Sequence, residues 1–166
     1  MTGQISLAGS FEASNMTGVM SPGSGRALRL DPHALPVRYA ARDSGADGQV
    51  RDIELDRERV VLKRAVAGIA MKVGVAVHEF SGVTMRTLPP EGGEPAAVSI
   101  ILEHRDNGLS VPLFMATDGD DAMAQWKSWA RVLGVPLLVA DDTGALREPF
   151  RRIGRLGIGG DRKSVV

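Results

Sequence analysis

The stretch that decides the fold is Ala97–Pro136, AVSIILEHRDNGLSVPLFMATDGDDAMAQWKSWARVLGVP. It opens with two apolar runs, Ala97–His104 and Leu109–Ala116. The residues between them include Asn107-Gly108, a dipeptide that readily adopts the positive φ angles of a short hairpin turn. The pattern therefore predicts a β-hairpin followed by a different kind of element.

That element is an amphipathic helix, because apolar residues recur at spacings of four, three and four. This is the period of one helix face, and it predicts a stripe that packs on a core. The stripe comprises Ala122, Trp126, Trp129 and Leu133, and we expect Met123 and Ala130 to widen it. A buried indole N–H requires a partner, so at least one tryptophan should donate a hydrogen bond.

The helix ends are marked by capping residues. We expect Thr117 or Asp118 to cap the N-terminus, with Asp120 and Asp121 in the first turn, where the helix dipole favours negative charge. Gly134 suits the left-handed position after the last turn, and a proline two residues later prevents continuation.

Short strands with turn residues between them surround this stretch. The predicted strands are Val37–Arg42, Gln49–Leu55, Arg59–Arg64, Ile69–Val77 and Val83–Leu88, with Leu137–Ala140 after the helix. Within Ile69–Val77 the apolar residues alternate, so they share one face that we expect to be buried. The predicted class is α+β, with an antiparallel sheet or a partly open β-barrel or roll, one C-terminal amphipathic helix and flexible termini.

The pattern divides the chain into three predicted regions. Residues 1–29 lack periodicity and contain the breaker cluster Ser21-Pro22-Gly23-Ser24-Gly25, which predicts a disordered or loosely attached arm. Residues 30–150 form a single domain, and residues 151–166 form a flexible tail rich in glycine and arginine. The Asp141–Gly144 segment is predicted to be a turn.

Composition excludes several classes of protein. The 166 residues carry a net charge of +0, which argues against a surface built throughout for nucleic acid. The absence of cysteine excludes disulfides and thiolate metal sites, and the 4% aromatic content disfavours base stacking. No signal-peptide pattern or apolar run of about 18 residues is present, so we expect a cytoplasmic protein without membrane insertion.

The sequence offers no catalytic constellation. The histidines His33, His78 and His104 lie on separate predicted elements and lack metal-ligand spacing, so we expect no metal, no cofactor and no identifiable catalytic residue. One alternative remains, an enzyme with a histidine base and a carboxylate partner. Its candidate residues are His78 or His104 as the base and Glu79, Glu103 or Asp106 as the partner.

The tail carries the clearest charge asymmetry. Its candidate anion-binding residues are Arg151, Arg152, Arg155, Arg162 and Lys163. They suit a nucleic acid, an acidic lipid headgroup or an acidic protein. Nucleic acid is the less favoured partner, because no aromatic residues alternate with these arginines.

Two segments resemble motifs of PilZ-type barrels, which bind cyclic dinucleotides. The Arg-x-x-x-Arg element of that family corresponds to Arg59–Lys63, with Lys63 at the second arginine. The Asp/Asn-x-Ser-x-x-Gly element corresponds to residues 79–84, with Glu79 at its first position and Thr84 at the glycine. The resemblance implies a ligand-binding barrel, and both motifs depart from the family pattern.

A broader resemblance covers roughly residues 35–155. Its segments are Ile53–Val61, Leu102–Asp106, Val111–Phe114, Trp126, Trp129, Leu133–Val139 and Leu146–Phe150. They are similar to a family of alphaproteobacterial proteins described only as a domain of unknown function. The resemblance implies a soluble bacterial domain and transfers no activity.

The leading hypothesis is a non-enzymatic domain that binds a protein partner or a small ligand. The alternatives are an anion or nucleic-acid binder acting through the tail, and an enzyme with the histidine and carboxylate residues named above. The sequence makes no prediction of oligomeric state.

Overall fold

The computed structural model describes residues 27–141 and 143–149, which form two β-sheets and one α-helix. The strands are β1 (Leu28–Arg29), β2 (Val37–Arg42), β3 (Val50–Leu55), β4 (Arg59–Val66), β5 (Ile69–Ala76), β6 (Gly82–Leu88), β7 (Ala97–Glu103), β8 (Val111–Ala116), β9 (Leu137–Ala140) and β10 (Leu146–Arg147). The helix α1 spans Ala122–Leu133. The predicted α+β class is confirmed, and the two described sheets do not close into a barrel.

The four-stranded sheet is an antiparallel meander in the order β2-β3-β4-β5. The six-stranded sheet has the order β1-β8-β7-β6-β9-β10, in which β6 and β9 are parallel and the other pairs are antiparallel. Every strand predicted from the sequence is present. The two-residue strands β1 and β10 were not predicted, because so short a segment has no periodicity to detect.

One core lies between the elements and draws side chains from both sheets and from α1. In β2 and β3 of the four-stranded sheet alternate residues are buried, as period-2 strands with one covered face require. Tyr39 on β2 is fully buried, and its hydroxyl donates a 2.7 Å hydrogen bond to the Pro112 carbonyl on β8. This bond links the two sheets.

A second link is the buried side chain of Arg51 on β3. Its Nη1 donates a 2.7 Å hydrogen bond to the Gly108 carbonyl, and its Nη2 donates to the Ser110 carbonyl. Burial lowers the pKa of Arg51, whereas the negative charge of Asp43 acts in the opposite direction. One guanidinium therefore fastens the four-stranded sheet to the connection between β7 and β8.

We predict that the stability of the protein falls above about pH 10, where an ordinary tyrosine ionises. Burial raises the pKa of Tyr39, so the unfolded chain releases this proton at a lower pH than the folded chain does. The contribution of protonated Tyr39 to stability is therefore complete below the pKa that this tyrosine has in the unfolded chain, and it is lost as the pH rises above that value. Urea unfolding between pH 8 and pH 11 measures the slope.

Tyr39 is the only tyrosine in the chain, so Tyr39→Phe is a direct control for that experiment. The variant should lose about 1–2 kcal/mol at pH 8, because the Pro112 carbonyl loses its donor. It should also show a shallower decline at alkaline pH. An equal decline of stability in the variant and the parent protein would show that Tyr39 does not cause the loss at alkaline pH.

The helix α1 packs on β6, β7 and β9 through the stripe predicted from the sequence. Trp126, Trp129, Ala130 and Leu133 are buried. The Trp126 indole donates a 2.7 Å hydrogen bond to the Val83 carbonyl, which confirms that one tryptophan finds a polar partner. Met123, in contrast, is 48% exposed, so the prediction that it widens the stripe was wrong.

The N-terminus of α1 also differs from the prediction. The helix begins at Ala122, so Asp120 and Asp121 precede it instead of lying in its first turn. The Asp118 carboxylate accepts a hydrogen bond from the Asp120 N–H within the preceding turn, and Asp121 pairs with Arg29 at 3.0 Å. These acidic residues stabilise the turn and the contact with β1. The C-terminal prediction is confirmed, because Gly134 has a φ of 68°.

The connection between β7 and β8 is not the tight hairpin turn that Asn-Gly predicted. Asn107–Leu109 form a 3-10 turn, and neither Asn107 nor Gly108 has a positive φ. The Asp106 carboxylate accepts a 2.9 Å hydrogen bond from the Gly108 N–H. Because the connection runs from His104 to Ser110, it is long enough to turn without the left-handed conformation.

Leu28 and Arg29, assigned from the sequence to the N-terminal arm, belong to the six-stranded sheet. They pair with Met115 and Phe114 of β8, and the Leu28 side chain is buried. Ala27 is also described. Residues 1–26 of the predicted arm and residues 151–166 of the predicted tail lie outside the described residues. No helix in the described part of the chain is long and apolar enough to cross a membrane.

Candidate functional site

A cleft of about 570 Å³ opens at one end of the four-stranded sheet, where β4 and β5 approach the end of α1. Its polar lining comes from two segments. Arg57, Glu58 and Arg59 lie at the turn between β3 and β4, and His78 follows β5. Gly74 on β5 and Leu133 of α1 contribute apolar surface.

The turn that carries Arg57 and Glu58 is held by backbone hydrogen bonds. The Asp56 N–H donates to the Arg59 carbonyl at 2.9 Å, and the Arg57 N–H donates to the Asp56 carboxylate at 2.7 Å. The Val77 N–H donates to the Glu58 carbonyl at 2.9 Å, which fixes the end of β5 beside the turn. The cleft is therefore built on hydrogen-bonded backbone.

Gly74 determines where the Arg59 side chain lies. A methyl group at residue 74 would come within 2.8 Å of Nη2 of Arg59, so the guanidinium crosses β5 where that strand has no side chain. The two residues face the same side of the sheet, two positions apart in register. Any larger residue at position 74 would redirect the guanidinium.

The charge of the cleft is mainly positive. Arg57, Arg59 and His78 contribute basic side chains, and Glu58 is the carboxylate in the lining. Within the described chain, Arg57 and Arg59 form no ion pair. Their guanidinium groups are exposed and available to an anion, for which arginine offers paired N–H donors.

The cleft adjoins the outer face of the four-stranded sheet, which is also basic. Strand alternation and register place these charged residues on that face: Arg38, Arg42, Arg59, Lys63 and Lys72, against Asp52 and Glu54. The excess of basic residues extends the positive potential of the cleft across the sheet.

Glu54 is the carboxylate that organises the middle of this face. Its Oε2 accepts a 2.5 Å hydrogen bond from Lys63 Nζ and lies 3.8 Å from Arg38 Nε. The hydrogen bond from Lys63 lowers the pKa of Glu54, and the charges of Lys63, Arg38 and Lys72 act in the same direction. These contacts hold the Lys63 side chain against Glu54, whereas the Arg59 side chain lines the cleft.

The tail residues proposed for anion binding, Arg151, Arg152, Arg155, Arg162 and Lys163, lie outside the described residues. Their role stays a prediction. The cleft is a second basic site, and it was not predicted from the sequence. The available signal was a pair of arginines at one tight turn, but their approach to His78 depends on the pairing of β4 with β5.

The histidine and carboxylate pairs considered for an enzyme are not joined in the described structure. Nδ1 of His104 accepts a 2.9 Å hydrogen bond from the Asp106 backbone N–H and therefore does not bond to a carboxylate through that nitrogen. Glu103 is occupied by Arg86, whose Nε and Nη2 donate to its Oε2 at 3.1 and 2.8 Å. His78 and Glu79 are both exposed, and no hydrogen bond joins them.

Among the residues that the structure describes, no cluster of three or more histidine or acidic side chains could hold a metal ion.

The residues of the two segments that resemble PilZ motifs lie in different surroundings. Arg59 lines the cleft, Lys63 pairs with Glu54, and Thr84 is buried within β6. One of the two motif cations therefore faces the cleft.

In its described residues this is an α+β protein with two mainly antiparallel sheets, one α-helix and a basic cleft at the end of one sheet. The chain belongs to the family of unknown function DUF6101, whose family model matches residues 16–159. No curated protein matches the chain. No solved structure matches it either.

Proposed function

We propose that this protein is a non-enzymatic binding domain whose cleft holds a small anionic ligand, with phosphate as the group recognised. The observation that carries the proposal is the arrangement of Arg57, Arg59 and His78 around one cavity with a single carboxylate, Glu58. Phosphate is favoured over carboxylate as the ligand group because it has enough acceptor oxygens to engage two arginines at once.

The size of the cleft supports a small molecule in preference to a macromolecule. A volume of about 570 Å³ lies within the range of roughly 300–1,000 Å³ that is typical of small-ligand sites. Leu133 and Val77 offer apolar surface for the part of the ligand that carries no charge. A phosphate ester with an apolar or heterocyclic group fits this lining.

The proposal includes a bacterial cytoplasmic setting, where phosphate-bearing metabolites are abundant. It leaves the tail as a separate anion-binding element, with an acidic macromolecule as its partner. The tail and the cleft are distinguishable because they are changed by different substitutions.

The test is isothermal titration calorimetry of the 166-residue chain at fixed salt with pyrophosphate, ATP, GTP and a cyclic dinucleotide. The cyclic dinucleotide is included because Arg59, in the segment that resembles the PilZ motif, lines the cleft. We expect at least one of these compounds to bind and to raise the melting temperature, since a ligand specific to the folded state stabilises it.

Arg59→Gln should weaken binding of that compound by at least tenfold, because a charge-assisted hydrogen bond contributes about 1.5–3 kcal/mol. Gly74→Ala should also weaken it while keeping the net charge, since the added methyl displaces the Arg59 guanidinium. Arg105→Gln removes one charge from an exposed loop outside the cleft and should leave the affinity unchanged.

Two results would refute the cleft as the binding site. One is the absence of any binding among the four compounds. The other is an affinity that Arg59→Gln and Gly74→Ala leave unchanged. If binding is instead lost when Arg151, Arg152, Arg155, Arg162 and Lys163 are neutralised, the ligand is held by the tail.

A further inference from the structure

The strand β5 forms a long open edge of the four-stranded sheet. It pairs with β4 over all eight of its residues, from Val66↔Ile69 to Arg59↔Ala76. No strand within the described ranges pairs with its other side. Its outward-facing backbone N–H and C=O groups are therefore a template for another strand.

The other sheet edges are less suited to pairing. The six-stranded sheet ends in β1 and β10, which have two residues each. The second edge of the four-stranded sheet is β2, which has six residues and carries Arg38 and Arg42. Short strands and charged side chains are the usual protection against edge pairing. In β5 the single charged residue is Lys72.

The side chains of β5 add an apolar surface to this open backbone. Ile69, Met71 and Val73 alternate along the strand and lie on its core-facing side, yet they are 67%, 47% and 40% exposed. The alternating sequence pattern predicted that this face is buried. The alternation was correctly identified, but this end of the hairpin extends past the core, so its apolar face is uncovered.

The exposed hairpin is held in a defined conformation. The Asp47 carboxylate accepts hydrogen bonds from the N–H groups of Ala67 and Gly68, at 2.9 and 2.8 Å. Both turn residues have positive φ angles, 51° and 79°, as a two-residue hairpin turn requires. The apolar edge is therefore presented by a preformed hairpin, which reduces the ordering cost of binding.

We infer that two copies of this chain associate through β5, pairing antiparallel about a twofold axis at Met71. In this register Met71 lies opposite its own copy, and Ile69 lies opposite Val73 of the partner. Lys72 lies opposite Ala70. All three exposed apolar side chains of each copy then meet on one face of a continuous eight-stranded sheet.

Charge and burial select this register. An axis at Lys72 would place the two lysines directly opposite each other, which is unfavourable. An axis at Val73 would place Met71 opposite Val75, whose side chain is already 5% exposed in its own core. A shift by one residue would bring the apolar face of one strand against the other face of its partner. Of the registers with the axis at Met71, Lys72 or Val73, the one at Met71 avoids these conflicts and places all three exposed apolar side chains opposite one another.

A second copy fits this edge because the edge is self-complementary. Two-fold pairing presents each strand with a partner of equal length, an equal apolar face and no opposing charge. The contact is limited to one strand and three large side chains per copy, so it is a small interface and the dimer should dissociate on dilution. This association is independent of the ligand proposed for the cleft.

The experiment is analytical ultracentrifugation of the 166-residue chain from about 1 to 500 μM. The mass should rise with concentration from 17.6 kDa towards twice that value. Met71→Lys should weaken the association at least tenfold, because it places two lysines on the axis. Met123→Lys is the matched control, since Met123 is equally exposed, at 48%, and lies on α1.

Disulfide trapping tests the register without relying on loss of binding. The chain has no cysteine, so a single introduced thiol can form a bridge only between copies. Met71→Cys should give a covalent dimer under mild oxidation, because directly paired residues have Cα atoms about 4.5–5.5 Å apart. Ile69→Cys alone should crosslink poorly, whereas a mixture of Ile69→Cys and Val73→Cys should crosslink well.

A monomer over the whole concentration range would overturn the inference, and so would equal crosslinking of Met71→Cys and Met123→Cys. Amide hydrogen exchange adds a further criterion. If the outward-facing β5 amides, which do not bond to β4, are protected in a monomeric protein, a segment of the same chain covers this edge, and the dimer is refuted. Protection that increases with protein concentration supports it.

Discussion

Replacing Trp126 or Trp129 with alanine should lower the free energy of unfolding by about 3–5 kcal/mol in each case. Both side chains are buried under α1, with exposed fractions of 3% and 0%. Removing an indole leaves a cavity between the helix and the six-stranded sheet that the surrounding backbone cannot close. Urea unfolding monitored by circular dichroism measures the loss.

Phenylalanine substitutions separate the packing of these residues from their hydrogen bonding. Trp126→Phe removes the donor to the Val83 carbonyl, whereas the buried Nε1 of Trp129 has no hydrogen-bond partner in the described structure. We expect Trp126→Phe to cost about 1–2 kcal/mol more than Trp129→Phe. Equal losses would show that the hydrogen bond does not contribute to stability.

Arg51→Met should destabilise the protein by about 2–4 kcal/mol, although it replaces a charge with an apolar side chain of similar length. The Gly108 and Ser110 carbonyls would lose their donor, and Asp43 would lose a neighbouring positive charge. Arg51→Lys should recover only part of the loss, because one ammonium lacks the planar fork that reaches both carbonyls.

The control for Arg51 is Arg105→Met, an identical change at an exposed position in the connection that Arg51 contacts. It should change stability by less than about 0.5 kcal/mol. Guanidinium chloride would screen the charges, so urea is the suitable denaturant. A small loss at Arg51, similar to that at Arg105, would mean that the guanidinium does not fasten the sheets together.

The sequence predicted the local structure of each element better than it predicted which other elements cover that element. The α1 stripe and the alternation of β5 were both identified, because side-chain periodicity follows directly from backbone geometry. Periodicity states which residues share a face and does not state what covers that face. For this reason Trp126 was correctly expected to be buried, and Met71 was not correctly placed.

The cleft escaped prediction for a related reason. Arg57 and Arg59 are neighbours in sequence, but Gly74 and His78 join them only when β5 returns alongside β4. Turn chemistry was also ambiguous at Asn107-Gly108, where the length of the connection overrode the preference of the dipeptide. Long-range register and loop length are set by the whole fold, and short motifs do not encode them.

The parallel pairing of β6 with β9 has a consequence for the order in which the protein folds. Each strand of the β2–β5 meander neighbours the next one along the chain, so that sheet can assemble by closing short loops. β6 instead pairs with residues 137–139 of β9, which follow β7, β8 and α1 in the chain, so this pairing can form only after those elements are in place. Until then its edge is bare and Val83 lacks the indole that will bond to it. We therefore expect the meander to form early and the six-stranded sheet to be the half most exposed to misassociation while the chain is incomplete.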